Sequence, residues 1–279
     1  MKKYLNILLA FVMVLALTGC GKKEEVKSRT PIEVLVDVAK NDAKKVKVGT
    51  SLTTKLNMDG MSIDGTFNLD IATEKLDNNK YKAVIELGEN PVLGKQKLYL
   101  DGTYVYMSSS IMNSIMGLES EEEYWIKSEV DSTITDEEVK LDNIDLKSIL
   151  TDKDFYLVNR DGNTGLYRLV ISEDLVKRAY KAINNTDLEE DNTLKTNINV
   201  DVTIDEKNNR ITKISSDLTE TLATIDLGED IDIKEMVEKL SFEINMSYDN
   251  VEVVIPEDVI TKAITEDEYD EKLNSLYSE

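Results

Sequence analysis

The chain has 279 residues and is strongly acidic, with 55 Asp and Glu residues against 33 Lys and Arg residues and a formal net charge of −22. A body of this charge repels the phosphate backbone, which excludes nucleic acid as a partner. No histidine occurs, so the commonest general base and the usual nitrogen ligand of zinc are missing. The acidic runs also lack the glycine and the last glutamate of an EF-hand calcium loop. We therefore expect no enzyme, no metal site and no cofactor.

The N-terminus has the layout of a secretory signal. Lys2 and Lys3 precede an uncharged apolar run, and small residues then lead to Cys20. The run is shorter than the roughly 20 apolar residues of a comfortable membrane-spanning helix. Cys20 is the only cysteine of the chain. It cannot form an internal disulfide, so it needs another purpose.

The tetrapeptide "LTGC" at Leu17–Cys20 resembles the bacterial lipobox. The resemblance implies that Cys20 receives a diacylglyceryl group and that residues 1–19 are removed as a signal peptide. It also implies a protein anchored to the cell membrane on the extracytoplasmic face, since two acyl chains give stable anchoring. Residues 20–30 are polar and mixed in charge, which predicts a flexible tether. The alternative is a buried thiol in an anchor that is not cleaved.

Two helices are predicted from caps and apolar spacing. Thr30 has the chemistry of an N-cap and Pro31 suits the first helical position, and apolar residues recur at helical spacing as far as Val46. Ser172 caps a second helix, whose apolar stripe runs to Ile183. Both helices are therefore expected to be amphipathic.

Between the two helices the apolar period changes from helical to alternating. From Val46 the apolar residues fall on every second position, and Asp59–Gly60 is a favoured two-residue hairpin turn. Such a turn pairs Met58 with Met61 and brings the apolar residues of both strands onto one face. A slip of one residue would move one set into water, so the pattern and the turn predict the same register.

Later segments repeat this hairpin pattern. Asp101–Gly102 is predicted as a two-residue turn that sets Leu98 opposite Val105 and Tyr99 opposite Tyr104.

Further turns are expected at residues 161–163 and 206–210. A change of apolar phase between Ile211 and Ile214 predicts a β-bulge in a strand that continues to about Leu227.

The order of elements predicts an α+β fold that is mainly antiparallel. We expect a meander sheet that must curl or close, because alternating strands need one covered face and few helices are available to cover it. The expected organisation is one domain over residues 31–262, followed by an acidic C-terminal tail over 263–279 that is weakly helical at best and loosely held.

This layout resembles LolA-type lipoprotein carriers, above all the lipid-anchored members of Gram-positive and mycobacterial envelopes. The resemblance implies that the curved meander sheet is an unclosed half-barrel, with capping helices on its concave face and a hydrophobic cavity for acyl chains, and it implies no individual site residue. None of the arginines matches the one that latches the lid of the soluble carrier, so a stationary binder fits better than a shuttle. The segments that carry the likeness are the lipobox, "VKVGTSLTTKLNM", "LYLDGTYVYMS", "YWIKS", "LVISEDL", "VDVTIDEKNNRITKIS" and "VVIPEDV".

Methionine-rich apolar segments are the candidate ligand contacts, because methionine adapts to irregular apolar partners. The segment 107–118 is predicted as a helical lid, with core packing as its alternative, and Met58 and Met61 flank a hairpin tip where they either line a cavity mouth or pack locally. A helix is expected to cover the tyrosines of the strand pair around Asp101, with a ligand or protein face as the alternative. The predicted ligand contacts are Met58, Met61, Met107, Ile111, Met112, Ile115, Met116 and Leu118.

Two functions follow from these residues. The leading hypothesis is a membrane-anchored, non-enzymatic lipoprotein, attached through diacylglyceryl-Cys20, that binds a lipid or acyl chain in the concave face of the sheet. The alternative is an envelope protein-interaction module with a filled core, no ligand cavity and an acidic face for a protein partner.

Overall fold

The computed structural model describes residues 29–58, 61–77, 80–90, 94–111, 124–130, 145–188, 196–222 and 236–276. The chain divides into two compact units. The first unit comprises residues up to 43 together with 51–66 and 138–246, and the second comprises 44–50, 67–137 and the chain from 247 onward.

Twelve strands form a hydrogen-bonded sheet in the described part of the chain. They are β1 (Lys45–Met58), β2 (Met61–Lys75), β3 (Tyr81–Asn90), β4 (Gly94–Leu100), β5 (Tyr104–Ser108), β6 (Trp125–Glu129), β7 (Phe155–Asp161), β8 (Thr164–Ile171), β9 (Ile198–Asp205), β10 (Arg210–Asp217), β11 (Val237–Ser247) and β12 (Ile264–Thr265). Their order in the sheet is β12-β6-β5-β4-β3-β2-β1-β11-β10-β9-β8-β7.

Six helices accompany these strands within the described ranges. They are α1 (Pro31–Ala39), α2 (Leu146–Ile149), α3 (Glu173–Asn184), α4 (Thr219–Leu222), α5 (Glu257–Lys262) and α6 (Glu266–Leu276).

The predicted α+β class with a mainly antiparallel, unclosed sheet is confirmed, since the described strand order ends at β12 on one side and at β7 on the other. The expected single meander is two meanders. Strands β1 to β6 neighbour one another in chain order, as do β7 to β11, and β11 lies beside β1. Strand β12 then joins β6 in parallel.

Helix α1 begins as predicted and ends earlier than expected. The hydroxyl of Thr30 accepts a hydrogen bond from the Glu33 N–H, and the Glu33 carboxylate accepts one from the Thr30 N–H, which completes a capping box. The helix ends at Ala39 instead of reaching Val46. Beyond it the Lys44 carbonyl accepts from Lys75 N, so the chain is already paired as strand.

The predicted register of β1 and β2 is confirmed by contacts along the hairpin. Lys75 N donates to the Lys44 carbonyl at 2.8 Å, and the hydroxyls of Thr53 and Thr66 lie 3.2 Å apart. Each contact lies in the register that sets Met58 opposite Met61. The turn residues 59–60 lie outside the described residues.

The predicted register of β4 and β5 is wrong, because the turn between them lies one residue later in the chain than expected. Leu98 pairs with Met107 and Tyr99 with Tyr106, because the two loop residues are Gly102 and Thr103 instead of Asp101 and Gly102. The Asp101 carboxylate accepts from the N–H groups of Thr103 and Tyr104, both at 2.8 Å. Gly102 takes the positive φ of 95° that the turn requires. Both registers keep the same residues on the same face.

Strand β10 shows one confirmed and one wrong prediction. The pairing with β9 shifts between Ile211 and Lys213, which confirms the predicted bulge. The strand ends at Asp217 and does not continue to Leu227. Thr219 N donates to the Asp217 carboxylate at 2.9 Å, and Leu218 N donates to the Leu240 carbonyl, which turns the chain into α4.

The first unit has a closely packed core under its helices. The rings of Phe155 and Tyr167 stack with centroids 5.2 Å apart, and both side chains are almost fully buried. Helix α1 contributes Val34 and Leu35, each without solvent exposure. The predicted helix after Ser172 is α3, whose N-cap hydroxyl accepts from Leu175 N. Other members of this core are Ile149, Leu169, Val200, Val202, Ile204, Ile211 and Ile214.

The C-terminal segment differs from the expected loosely held tail. It forms β12 and α6, and Tyr269 in α6 is 3% exposed. The Tyr269 ring meets that of Tyr124 edge-on at 6.5 Å, and Lys272 lies over the Tyr124 ring at 4.8 Å. A buried aromatic anchor with these contacts fixes the segment against β6.

Candidate ligand-binding face

One face of the second unit carries a mainly apolar surface across five strands, here called the apolar face, with Thr73, Gln96 and Ser128 as polar members of the same face. Antiparallel pairing places Leu69 opposite Leu87 and Ile71 opposite Ile85, and the same row continues through Leu98. The apolar members are Phe67, Leu69, Ile71, Ala83, Ile85, Leu87, Leu98, Leu100, Val105, Met107 and Ile126.

Most of the apolar face is only partly buried. Ala83 and Ile126 are buried, whereas the other side chains between β2 and β6 retain solvent exposure. Phe67 is the most open of them, at 43%. Each apolar Å² still in contact with water would yield about 25 cal/mol if it were covered. The apolar face can therefore still gain free energy by packing against an apolar partner. The core of the first unit cannot, because its side chains are already buried.

The opposite side of the same strands carries ion pairs. Lys47 meets Asp70 at 3.3 Å, and Lys97 meets Glu86 at 2.5 Å. The hydrogen bond between Lys97 and Glu86 lowers the pKa of Glu86 and raises the pKa of Lys97. These groups are partly exposed, so each pair contributes little to stability. The sheet is thus amphipathic here, which distinguishes its two faces.

The tyrosine face around β4 and β5 is covered by the C-terminal segment. Tyr99 and Tyr106 are buried in a cluster with Ile255 and Val259, and Trp125 meets the Tyr99 ring edge-on at 5.4 Å. The prediction that a helix covers these tyrosines is therefore confirmed, since α5 covers them through Val259. The alternative of an open ligand or protein face does not hold.

A partly buried hydrogen bond lies beside this cluster. The Tyr106 hydroxyl donates to the Asp101 carboxylate at 2.6 Å. Burial, together with this hydrogen bond, raises the pKa of Tyr106 to about 12. Burial opposes ionisation of Asp101, but the donors Tyr106, Tyr104 N and Thr103 N outweigh it and lower the pKa of that carboxyl.

The candidate lid lies partly within the described residues. Met107 is on β5 and belongs to the apolar face, between Leu98 and Ile126. Ile111, in the short helical turn that follows β5, is 6% exposed.

The base of the lid segment is closed by two hydrogen bonds. Ser109 N donates to the Tyr124 carbonyl at 2.8 Å, and Tyr124 N donates to the Ser109 hydroxyl at 2.9 Å. The rest of the predicted contacts, Met112, Ile115, Met116 and Leu118, lie outside the described residues.

Met58 is the last residue of β1 and Met61 is the first residue of β2. The placement of their side chains lies outside the described residues. The predicted ligand contacts missed the strand residues of the apolar face, such as Leu69, Ile85 and Leu98, and included only Met107 among those that the structure describes in it. Their signal in the sequence was the alternation itself, which marks one face without telling whether that face is covered.

The first unit carries a polar groove of about 1040 Å³. The ion pair between Arg168 and Asp201, with an N–O distance of 2.8 Å, lies on its floor. The groove has none of the isoleucine, leucine and methionine lining that an acyl chain would need. It is lined by hydroxyl, amide and charged side chains, among them Ser51, Thr53, Asn197, Asn199, Ser215, Asp217, Glu220, Lys239 and Glu243.

Two further properties concern the described part of the chain alone. No group of three or more acidic or cysteine side chains within it is arranged to hold a metal ion. No helix within it combines the length and the apolar character needed to span a bilayer. Cys20 and the N-terminal apolar run lie outside the described residues.

Comparison with known proteins gives only distant structural likenesses. No protein-family model and no curated protein matches the chain. One similar solved structure is a DUF1329 family protein from Desulfovibrio piger, at 12% identity and a TM-score of 0.24 over 82% of this chain and 97% of that chain.

Two further solved structures are similar at the same level. A LolA superfamily protein from Nitrosomonas europaea has 10% identity and a TM-score of 0.24 over 84% of this chain and 97% of its own. A domain from Vibrio parahaemolyticus named for outer membrane lipoprotein sorting has 7% identity and a TM-score of 0.23 over 83% and 96%. Sequence identities and TM-scores this low establish no relationship, so the function proposed below rests on the chain's own residues.

Proposed function

We propose that this protein is a membrane-anchored, extracytoplasmic lipoprotein without enzymatic activity that binds a hydrophobic ligand, a lipid or an acyl chain, on the apolar face. The supporting observation is the contrast between two apolar surfaces. The core of the first unit is fully buried, as Tyr167 and Ile214 illustrate, whereas the apolar face stays partly open around Phe67 and Leu98.

A hydrocarbon chain is the ligand chemistry that fits this face. The residues from Leu69 to Met107 present mainly methyl and methylene groups, whereas the charged pairs, such as Lys97 with Glu86, lie on the opposite side. Each methylene removed from water contributes about 0.8 kcal/mol. The ligand contacts proposed in addition to the apolar face are Met58, Met61, Ile111, Met112, Ile115, Met116 and Leu118.

Lipid extraction and native mass spectrometry of the mature chain test the binding proposal. The chain is produced without residues 1–19 and with Cys20→Ser, so that no attached acyl group can be mistaken for a ligand. We expect co-purifying lipid and saturable uptake of a fluorescent fatty acid. A preparation that carries no lipid and takes up no fatty acid would refute the proposal.

Two neighbouring substitutions localise the binding. Leu98→Gln places an amide on the apolar face and is expected to weaken fatty-acid uptake about tenfold, which corresponds to about 1.4 kcal/mol. Lys97→Gln, one residue away on the opposite face, is the matched control and should leave uptake unchanged. Equal losses in both variants would show that binding does not depend on the apolar face.

The anchoring proposal has its own test. Growth with a palmitate analogue should label the wild-type protein and leave the Cys20→Ser variant unlabelled. Labelling of both proteins, or of neither, would refute lipidation at Cys20 and leave the binding result standing.

A protein-interaction module is the second candidate. The filled core of the first unit and the polar groove around Arg168 and Asp201 support it, because both suit a scaffold with a wet, charged recognition surface. In that case cross-linking in intact cells would capture an envelope protein through residues of the groove, and the Leu98→Gln variant would capture it equally well.

A further inference from the structure

The N-terminal helix is fixed to one end of the first unit. The Arg29 guanidinium donates to the Asp37 carboxylate and to the Asn209 amide oxygen, each at 2.7 Å, and to the Glu206 carbonyl at 2.8 Å. Its side chain is 18% exposed. Arg29 is thereby attached to the turn that joins β9 to β10.

The other end of the same helix is attached to the same turn. The Asn41 amide donates to the carbonyls of Asn208 at 2.8 Å and of Asn209 at 2.5 Å. Val34 and Leu35, between the two attachments, have no solvent exposure. The position at which the chain enters the first unit is therefore fixed by polar bonds at both flanks and by core packing between them.

The β7–β8 turn lies beside the β9–β10 turn. Glu206 N donates to the Asn163 carbonyl at 2.8 Å. Together residues 161–163 and 205–210 form one end of the first unit, here called the turn edge. Asp152 precedes β7 and lies at the opposite end of that strand. Strand β7 has seven residues, and at about 3.3 Å per residue it separates the two ends by roughly 23 Å.

The distance from the lipid anchor to this edge is limited by covalent geometry. Nine residues lead from Cys20 to Arg29. Fully extended they span at most about 32 Å at roughly 3.6 Å each, and the flexible tether predicted from their composition would average about 17 Å. That average is shorter than the roughly 23 Å between the two ends of β7, so a lipid-anchored tether of this length would hold the turn edge closer to the bilayer than the opposite end.

We propose that the turn edge of the first unit, residues 161–163 and 205–210, is the surface that faces the membrane, with the lipid bilayer as its partner. The proposal rests on the proposed lipidation of Cys20. It adds an orientation that lipidation alone does not specify, since a lipid anchor can hold any side of a body toward the bilayer.

Energy transfer to labelled headgroups tests the orientation on the full lipidated protein in phosphatidylcholine vesicles that contain phosphatidylglycerol. Acylation consumes the Cys20 thiol, so an introduced cysteine is the only free one to label. Asn163→Cys reports on the turn edge, and Asp152→Cys reports on the opposite end of β7; both positions are exposed. We expect the dye at position 163 to lie closer to the headgroups by more than about 10 Å, given the length of β7. Equal distances, or a closer position 152, would overturn the proposal.

A longer tether provides the second measurement. Insertion of twenty Gly and Ser residues after Lys23 raises the average span of the tether to about 30 Å, and the difference between the two positions should shrink at least twofold. The same insert placed after Glu279 is the control and should preserve the difference. A difference that survives the longer tether would show that something other than its length orients the body, and would overturn the proposal.

Flotation of the protein with the vesicles separates the two proposals. A chain that floats without the expected distance difference refutes only the orientation. A chain that does not float refutes the lipid anchor and the orientation together.

Discussion

The hydroxyl of Tyr106 donates to the carboxylate of Asp101 at 2.6 Å, and this bond joins the β4–β5 turn to the cluster beneath α5. The same carboxylate accepts from the N–H groups of Thr103 and Tyr104. One aspartate thus both shapes the turn and satisfies a buried phenol. This double role explains why the hairpin turns one residue later than a simple Asp–Gly turn would.

Replacing Asp101 with alanine should destabilise the protein by about 1–3 kcal/mol, because the Tyr106 hydroxyl and two turn N–H groups lose their acceptor. Urea unfolding measures the change. Asp161→Ala, at an exposed turn aspartate of the β7–β8 hairpin, is the matched control and should cost less. The pKa of Tyr106 should also fall, which a spectrophotometric titration would detect. Equal losses in the two variants would contradict the assigned role.

Alkaline pH should destabilise the protein through two buried tyrosines. Burial and the hydrogen bond to Asp101 raise the pKa of Tyr106 to about 12, and burial and the hydrogen bond to Glu206 do the same for Tyr167. The native state therefore keeps protons that the unfolded chain releases above its ordinary tyrosine pKa of 10.0. The contribution of the two tyrosines to the free energy of unfolding is complete below pH about 10 and is lost as the pH rises toward about 12.

Unfolding measured across this range checks the alkaline prediction. The double variant Tyr106→Phe/Tyr167→Phe should show a flatter loss of stability between the two limits, although it is less stable at neutral pH. An identical slope in the variant and the wild-type protein would mean that other groups control alkaline unfolding.

Gly165→Ala should destabilise the first unit by about 1–3 kcal/mol through overpacking. A Cβ at this position would lie 2.4 Å from a Glu206 carboxylate oxygen and 2.5 Å from the Tyr167 ring. Those two side chains are hydrogen bonded to each other at 2.6 Å and are both buried, so neither can yield easily. Thermal unfolding measures the loss. Gly65→Ala, in β2, meets nothing within 4 Å and is the control; a loss of the same size there would point to strand propensity instead of a clash.

Phe67→Ala should weaken fatty-acid binding about fivefold to tenfold, or about 1–1.4 kcal/mol, with little change in stability. Phe67 is 43% exposed on the apolar face, so truncation removes ligand contact area and opens no core cavity. Val158→Ala, at a side chain 45% exposed on β7, is the control. Unchanged uptake in Phe67→Ala would place the ligand elsewhere, whereas a large drop in melting temperature would show that Phe67 packs more than its exposure indicates.

Tyr269→Ala should destabilise the second unit by about 3–5 kcal/mol, the usual cost of truncating a buried aromatic side chain. The ring is 3% exposed and packs against Tyr124. Hydrogen exchange should show that protection is lost first in β6, to which β12 is paired. Tyr81→Ala, at a ring 42% exposed, is the comparison. A loosely held C-terminal segment would give two variants of equal stability.

Local patterns in the sequence predicted the elements whose signals lie within a few residues. The capping box of α1, the Ser172 cap of α3, the turn at residues 206–210 and the bulge after Ile211 all follow from neighbouring side chains and backbone groups. The register of β1 with β2 was also predictable, because a single short turn and two alternating patterns allow only one pairing.

Tertiary structure decided which surfaces are covered. For Tyr99 and Tyr106 the sequence left open which segment covers them, and the fold shows that Ile255 and Val259, about 150 residues further along the chain, bury them. The frame of the β4–β5 turn depended on how the side chain of Asp101 distributes its hydrogen bonds, and the end of β10 depended on a bond from Leu218 N to the Leu240 carbonyl. Alternation identifies a face because it reflects the geometry of one strand. Whether that face is buried depends on distant segments, so for this protein the sequence determined the apolar face and the fold alone determined that it remains partly open.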